Sequence, residues 1–216
     1  MKTKEPKENM TNKKKKIEKT IIEVCIKIAK HNGGALIILG EAKYKPMVNQ
    51  EDVKHFKIIE NPKLLQSLAT IDGAVIINKD GVMEAHGVKV DADKILKNFG
   101  TRHATAYSVS FNKSTTAFLV SKGDGKVKIF KKGNIVQIDA FERGVEKKIP
   151  EISKILEALG VGSIGVIGMG ILTPIIGIAA IPGITIFVLV GGIYYLIKKA
   201  DEWGEINIKT KEEKIK

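Results

Sequence analysis

The chain has 216 residues, 44% of them hydrophobic, which is enough for the core of one domain with further segments around it. Lys and Arg number 36 against 24 Asp and Glu, a net charge of +12 that favours anionic partners such as nucleotides, nucleic acid or lipid heads without choosing among them. One cysteine, Cys25, excludes an intramolecular disulfide, and the N-terminal lysines have no apolar run behind them of the kind a secretory signal needs.

Residues 1–15 are charged and poor in apolar groups, with the run Lys13–Lys16, and read as a disordered basic tail. From Ile17 the apolar spacing becomes helical through Ile21, Val24, Cys25, Ile28 and Ala29, and His31-Asn32-Gly33-Gly34 ends that helix. The continuous apolar run "ALIIL" (35–39) suits a strand buried on both faces. Residues 40–60 give no clear pattern. Asn61-Pro62 opens a second helix, and "AVIIN" (74–78) is another buried strand, returning after a Lys79-Asp80-Gly81 turn as "VMEAHGVKV" (82–90).

After Gly100 a helix is expected, with Ala104, Tyr107, Ser108 and Phe111 on one face. "TAFLVS" (116–121), "KVKIF" (126–130) and "IVQID" (135–139), separated by glycine turns, read as an antiparallel meander. Residues 143–157 carry a linker helix interrupted by Pro150. Interleaved helices and strands predict an α/β domain over 16–142, a mixed twisted sheet flanked by helices.

Residues 158–197 hold no charged side chain. One membrane-spanning helix needs roughly 20 apolar residues, so the stretch suffices for a hydrophobic helical hairpin reversing near Pro174 or Pro182-Gly183. Lys147, Lys148 and Lys154 before it, and Lys198 and Lys199 after it, place both ends in the cytoplasm by the positive-inside rule, with 198–216 a charged cytoplasmic tail. Tyr194 and Tyr195 sit where interfacial aromatics sit. A buried hairpin in a soluble core, a single tilted span and a re-entrant loop are the other readings. Gly160-Val161-Gly162-Ser163-Ile164-Gly165 matches a dinucleotide fingerprint, but a helix precedes it and no acidic residue follows before Asp201. Small residues allowing close helix packing explain it better.

Two short stretches carry chemistry. In "GTRHA" (100–104), Gly100 lets backbone approach a ligand, and the first-turn N–H groups with the helix dipole favour an anion. Thr101 can cap the helix, Arg102 offers a planar fork of donors, and His103 adds a donor that can charge near neutral pH. The four read as a phosphate cradle, or equally as a Thr-capped surface helix. In "TIDGAVIIN" (70–78), Asp72 stands at the mouth of an apolar strand, with Gly73 and Ala74 leaving room beside it. It reads as a ligand for a divalent metal, or equally as an ordinary Asp-Gly turn. His86 reads as structural.

"DGAVI" (72–76), "GTRHATA" (100–106) and "TAFLVSKGDGKVKIF" (116–130), in this order and spacing, resemble the diadenylate cyclase domain. The resemblance covers roughly residues 17–140. It implies an α/β domain that condenses two ATP into cyclic di-AMP and releases two pyrophosphates. It implies that Asp72 binds a divalent metal (Mn²⁺ or Mg²⁺) and activates the ribose 3′-hydroxyl. Thr101, Arg102 and His103 would hold the triphosphate, with Ser121 also near the phosphates, and the active form would be a face-to-face dimer or higher oligomer. Two departures stand out: where the family most often has Arg-His-Arg this chain has Arg102-His103-Ala104, and where it often has Ser-Glu-Glu-Thr-Gly this chain has "SKGDG" (121–125).

Together these readings give a cyclase at the cell membrane, tethered to the lipid bilayer by its C-terminal segment, with its domain facing the cytoplasm. A membrane-anchored nucleotide sensor without turnover is the second reading, motivated by Ala104 and "SKGDG". Nucleic acid is not an expected partner, since no recognisable module is present and aromatics are 6% of the chain.

Overall fold

The computed structural model describes residues 7–92, 100–160, 184–190 and 193–197, with side chains over 12–92 and 100–157. Helix α1 (Lys7–Lys30) leads into β1 (Ala35–Leu39), then the short β2 (Tyr44–Pro46) and β3 (Phe56–Lys57), α2 (Pro62–Ala69), β4 (Ala74–Ile77) and β5 (Val82–Val90). Helix α3 (Thr101–Val109) precedes the meander β6 (Thr116–Val120), β7 (Lys126–Lys131) and β8 (Asn134–Asp139). A 3-10 turn (Val145–Lys148), α4 (Ile149–Gly160), β9 (Ile184–Val190) and β10 (Ile193–Ile197) follow.

Among the described residues the ten strands join one mixed sheet, in the order β10-β9-β8-β7-β6-β1-β4-β5-β2, with β3 also on β5. Among these described strands, β1 and β4 pair in parallel and the other pairs are antiparallel. The α/β expectation therefore holds over the domain. Alternation along each strand sends side chains to two faces. Ile37, Leu39, Val75, Ile77, Phe118 and Val120 pack with α1, α2 and α4 on one face. Leu36, Ile38, Ala74, Ile76, Ala117 and Leu119 pack with Ala106 and Tyr107 of α3 on the other. Strands covered on both faces are apolar nearly throughout, which is why β1 and β4 read as unbroken runs and β6 as one after Thr116.

Three sequence expectations change. The helix starts at Lys7, inside the stretch read as a tail, and Lys13 and Lys15 are ion-paired with Asp80 and Glu157. Pro150 stands at the start of α4, where a missing N–H costs nothing, and does not interrupt it. That helix is no linker either: Ile149, Ile152, Ile155 and Leu156 are buried in the same cluster as α1.

Most of the stretch read as a helical hairpin, 158–197, lies outside the described residues. Residues 184–190 and 193–197 are strands, β9 pairing with β8 and β10 with β9. "ITIFVLV" and "IYYLI" are rich in the β-branched and aromatic residues that favour strands. An apolar run without period does not distinguish helix from strand. The expectations for residues 161–183 and for the tail 198–216 lie outside the described residues. Among the described residues, no helix is long and apolar enough to cross a membrane.

Candidate active site

Strand register brings the distant motifs together. Ile37 pairs with Val75 and Ala35 with Val120. Continued outward by one or two residues, the same register sets Asp72, Gly34 and Ser121 side by side at one end of the sheet. The first turn of α3 lies over this end. A cavity of about 1040 Å³ opens between α3 and the β1–β4–β5 surface. Leu36, Ala74, Val88 and Val109 give it apolar walls, while Asp72, Thr101 and Arg102 line it with polar groups.

The carboxylate and the guanidinium meet directly: Arg102 Nη2 donates to Asp72 Oδ1 at 2.8 Å. The Asp72 side chain is 90% exposed and that of Arg102 40%. Such an exposed pair contributes about 0–1 kcal/mol to folding. Its importance is positional, since it shows that Arg102 and Asp72 reach the same point.

Gly73 has φ +100, and a Cβ there would stand 2.8 Å from the backbone of Gly87 and Val88. Gly73 thus lets β4 begin hard against β5 while Asp72 stays at the cavity mouth. Gly73→Ala is expected to destabilise the fold by about 1–3 kcal/mol, lowering the melting temperature by roughly 5 °C; a calorimetric scan measures this. Gly34 serves Arg102 in a similar way. A Cβ there would lie 3.1 Å from Arg102 Nη1, so the missing side chain makes room for the guanidinium.

Gly100 is the helix N-cap, with φ −67, and supplies no capping side chain. Thr101 is the first helical residue, so the expectation that it caps the helix is corrected; it lines the cavity instead. Gly100 has an ordinary negative φ, and the space where a Cβ would stand is open to solvent-side ligands, with no protein atom within 4 Å.

His103 and Ser121 form an adjoining group rather than part of the cavity wall. Ser121 Oγ lies 3.3 Å from His103 Nε2, and the imidazole packs edge-on against Phe130, with ring centroids 6.5 Å apart. Sequence reasoning missed the third member, Lys128, whose Nζ lies 3.1 Å from the same imidazole nitrogen. Asp124 accepts from Lys128 Nζ at 2.8 Å and from the Lys126 backbone N–H at 3.0 Å. The carboxylate of "SKGDG" therefore shapes its own turn and holds Lys128. His86 is buried, and Gln50 bonds both its backbone N–H and its carbonyl, in keeping with a structural role.

Burial first, then the neighbouring Lys128, holds His103 below the ordinary imidazole range, with Asp124 opposing in part. The folded chain therefore binds this proton less readily than the unfolded chain. Stability is retained above the unfolded value of about 6.5 and falls as pH drops from there to the lower folded value. Urea melts at pH 7.5 and 5.5 are expected to show a smaller acid loss in His103→Asn than in the unsubstituted chain.

Sheet, cavity and paired motifs together define a mixed α/β domain with a cavity whose mouth holds Asp72, Thr101 and Arg102. Residues 22–135 match the family model described as DAC, DisA bacterial checkpoint controller nucleotide-binding, and the chain belongs to that family. It is 32% identical over 146 residues to a diadenylate cyclase of Methanocaldococcus jannaschii, covering 60% of this chain and 47% of that one. To a diadenylate cyclase of Haloferax volcanii it is 28% identical over 137 residues, covering 55% and 51%. The chain thus spans about half the length of these relatives. Among solved structures, a double mutant of DacA from Staphylococcus aureus aligns with a TM-score of 0.44 at 21% identity, over 68% of this chain and 97% of that one.

Proposed function

We propose that this chain is a diadenylate cyclase, a nucleotidyltransferase that joins two ATP molecules into cyclic di-AMP. The observation that carries this reading is the meeting of Asp72 and Arg102 at one cavity, in a chain of this family. Each ribose 3′ oxygen forms a bond to the α-phosphorus of the other nucleotide. The bond from that phosphorus to pyrophosphate breaks, two pyrophosphates leave, and the two hydroxyl protons pass to solvent.

In this reading the apolar walls take the base, and Gly73 and Ala74 let the nucleotide lie against the start of β4. Arg102 and Thr101 at the helix mouth hold phosphate oxygens, and the helix dipole adds favourable potential. His103 and Ser121 orient the far end of the triphosphate. Holding nucleophile and phosphorus in line supplies much of the rate by positioning alone.

A divalent ion suits this donor set. Among the described residues there is no group of three or more His, Cys, Asp or Glu that would cage a metal. Mg²⁺ and similar ions bind through one or two carboxylates plus substrate phosphates, and Asp72 at the cavity mouth offers one. Bound there, the ion would neutralise phosphate charge and make the 3′-hydroxyl more acidic.

The reaction needs two nucleotides facing each other, and one cavity of this size suits one. A second copy of the chain, face to face, would bring the other. Membrane attachment, with the domain on the cytoplasmic side, belongs to the same proposal and rests on sequence alone: the uncharged stretch 158–197 and its flanking lysines.

Incubation of the full chain with ATP and Mn²⁺ or Mg²⁺, followed by chromatography, tests the activity. Cyclic di-AMP and two equivalents of pyrophosphate are expected. ATP bound without pyrophosphate release would instead identify a sensor. Resistance of the full chain to carbonate extraction from membranes tests the attachment.

A further inference from the structure

We propose that Lys128 is a second cation on the substrate's triphosphate, taking over the task of the arginine that Ala104 replaces. This rests on the cyclase reading.

Lys128 sits opposite Leu119 in the β6–β7 ladder, on the sheet face that α3 covers. Phe130, two residues on, shares that face and is buried under His103. The Lys128 side chain is only 17% exposed, so it is not one of the solvated lysines that make this chain basic. Burying an ammonium costs free energy unless its donors are satisfied. Asp124 and His103 accept two of its three. The third is available to a phosphate oxygen at the end of β6.

Its placement complements Arg102. Arg102 lies over Gly34, beside the start of β1. Lys128 approaches Ser121 and His103 from β7, on the other side of the end of β6. A triphosphate laid across Ser121 would meet one cation from each side. A first turn carrying Arg102-His103-Ala104 supplies one guanidinium, and a lysine held by Asp124 supplies the missing charge from a neighbouring strand. The two departures from the family's usual motifs then become one compensated change, because Asp124 lies within the altered "SKGDG".

Calorimetric titration of the full chain with Mg²⁺ and an ATP analogue carrying a methylene between the α- and β-phosphates, and separately with inorganic tripolyphosphate, tests this. Lys128→Met is expected to weaken both by about tenfold, the loss of one charge-assisted contact. Lys128→Arg should stay within about threefold, since charge is kept while geometry changes. Adding Ala104→Arg to Lys128→Met should recover most of the loss, which a merely structural lysine would not permit. Lys128→Met binding like the unsubstituted chain, or a double variant no better than Lys128→Met, would overturn the proposal. Should Lys128→Met not fold, the side-chain ammonium resonance of Lys128 in the unsubstituted chain decides: it moves with tripolyphosphate if the proposal is right and stays still if it is wrong. A chain that binds neither probe removes the cyclase reading and Lys128's role with it. A chain that binds both and makes product, with Lys128→Met unimpaired, removes only the latter.

Discussion

Asp72→Asn is expected to lower cyclic di-AMP formation about a thousandfold, the order of loss when several kcal/mol of metal-assisted stabilisation disappear. The amide keeps the shape and can still accept from Arg102. It lacks the charge to hold a divalent ion against the competing phosphates. The side chain is 90% exposed, so folding should barely change. Rate by chromatography and melting temperature by calorimetry check the two halves. Loss of activity with an unchanged melting temperature places Asp72 in the chemistry. A variant as active as the parent shows that Asp72 is only a turn residue.

Arg102→Ala is the second large expected effect, a loss of kcat/KM of about a hundredfold to a thousandfold, comparable to removing a preorganised donor from an anion site. Arg102→Lys should recover part of this, because charge remains while the planar fork is gone. The Arg102 side chain is 40% exposed and its pair with Asp72 is a surface pair, so neither variant should unfold the chain. Steady-state rates over a range of ATP concentrations check this. A change confined to stability would count against a phosphate role.

Much of the domain was legible in the sequence because its strands are sandwiched. "ALIIL" and "AVII" are apolar on both faces, and the spacing from Ile17 to Ala29 marks the covering helix. All six residues read as its apolar stripe are buried. β2 and β3 were not legible, being three and two residues long and held by β5 across the chain rather than by their own pattern. Around β9 the uniformly apolar residues give no period, and only the pairing of β9 with β8 distinguishes a strand there.

The site was legible as a pair of motifs but not as a place. Neither "DGAVI" nor "GTRHATA" says that it faces the other. The parallel β1–β4 register and the antiparallel β1–β6 register do that. Lys128 was missed because a lysine in "KVKIF" looks like part of a solvated face. The signal was nonetheless present: period-two alternation puts Lys128 on the same side as Phe130, and an aromatic that is buried implies a covered face.

Amide NMR spectra of the full chain, titrated with Mg²⁺ and the non-hydrolysable ATP analogue, test most directly whether one nucleotide touches both motifs. The resonances of Asp72 and Gly73, and those of Thr101 and Arg102, should move together along one saturation curve. Movement of one pair while the other stays fixed through saturation would contradict the account.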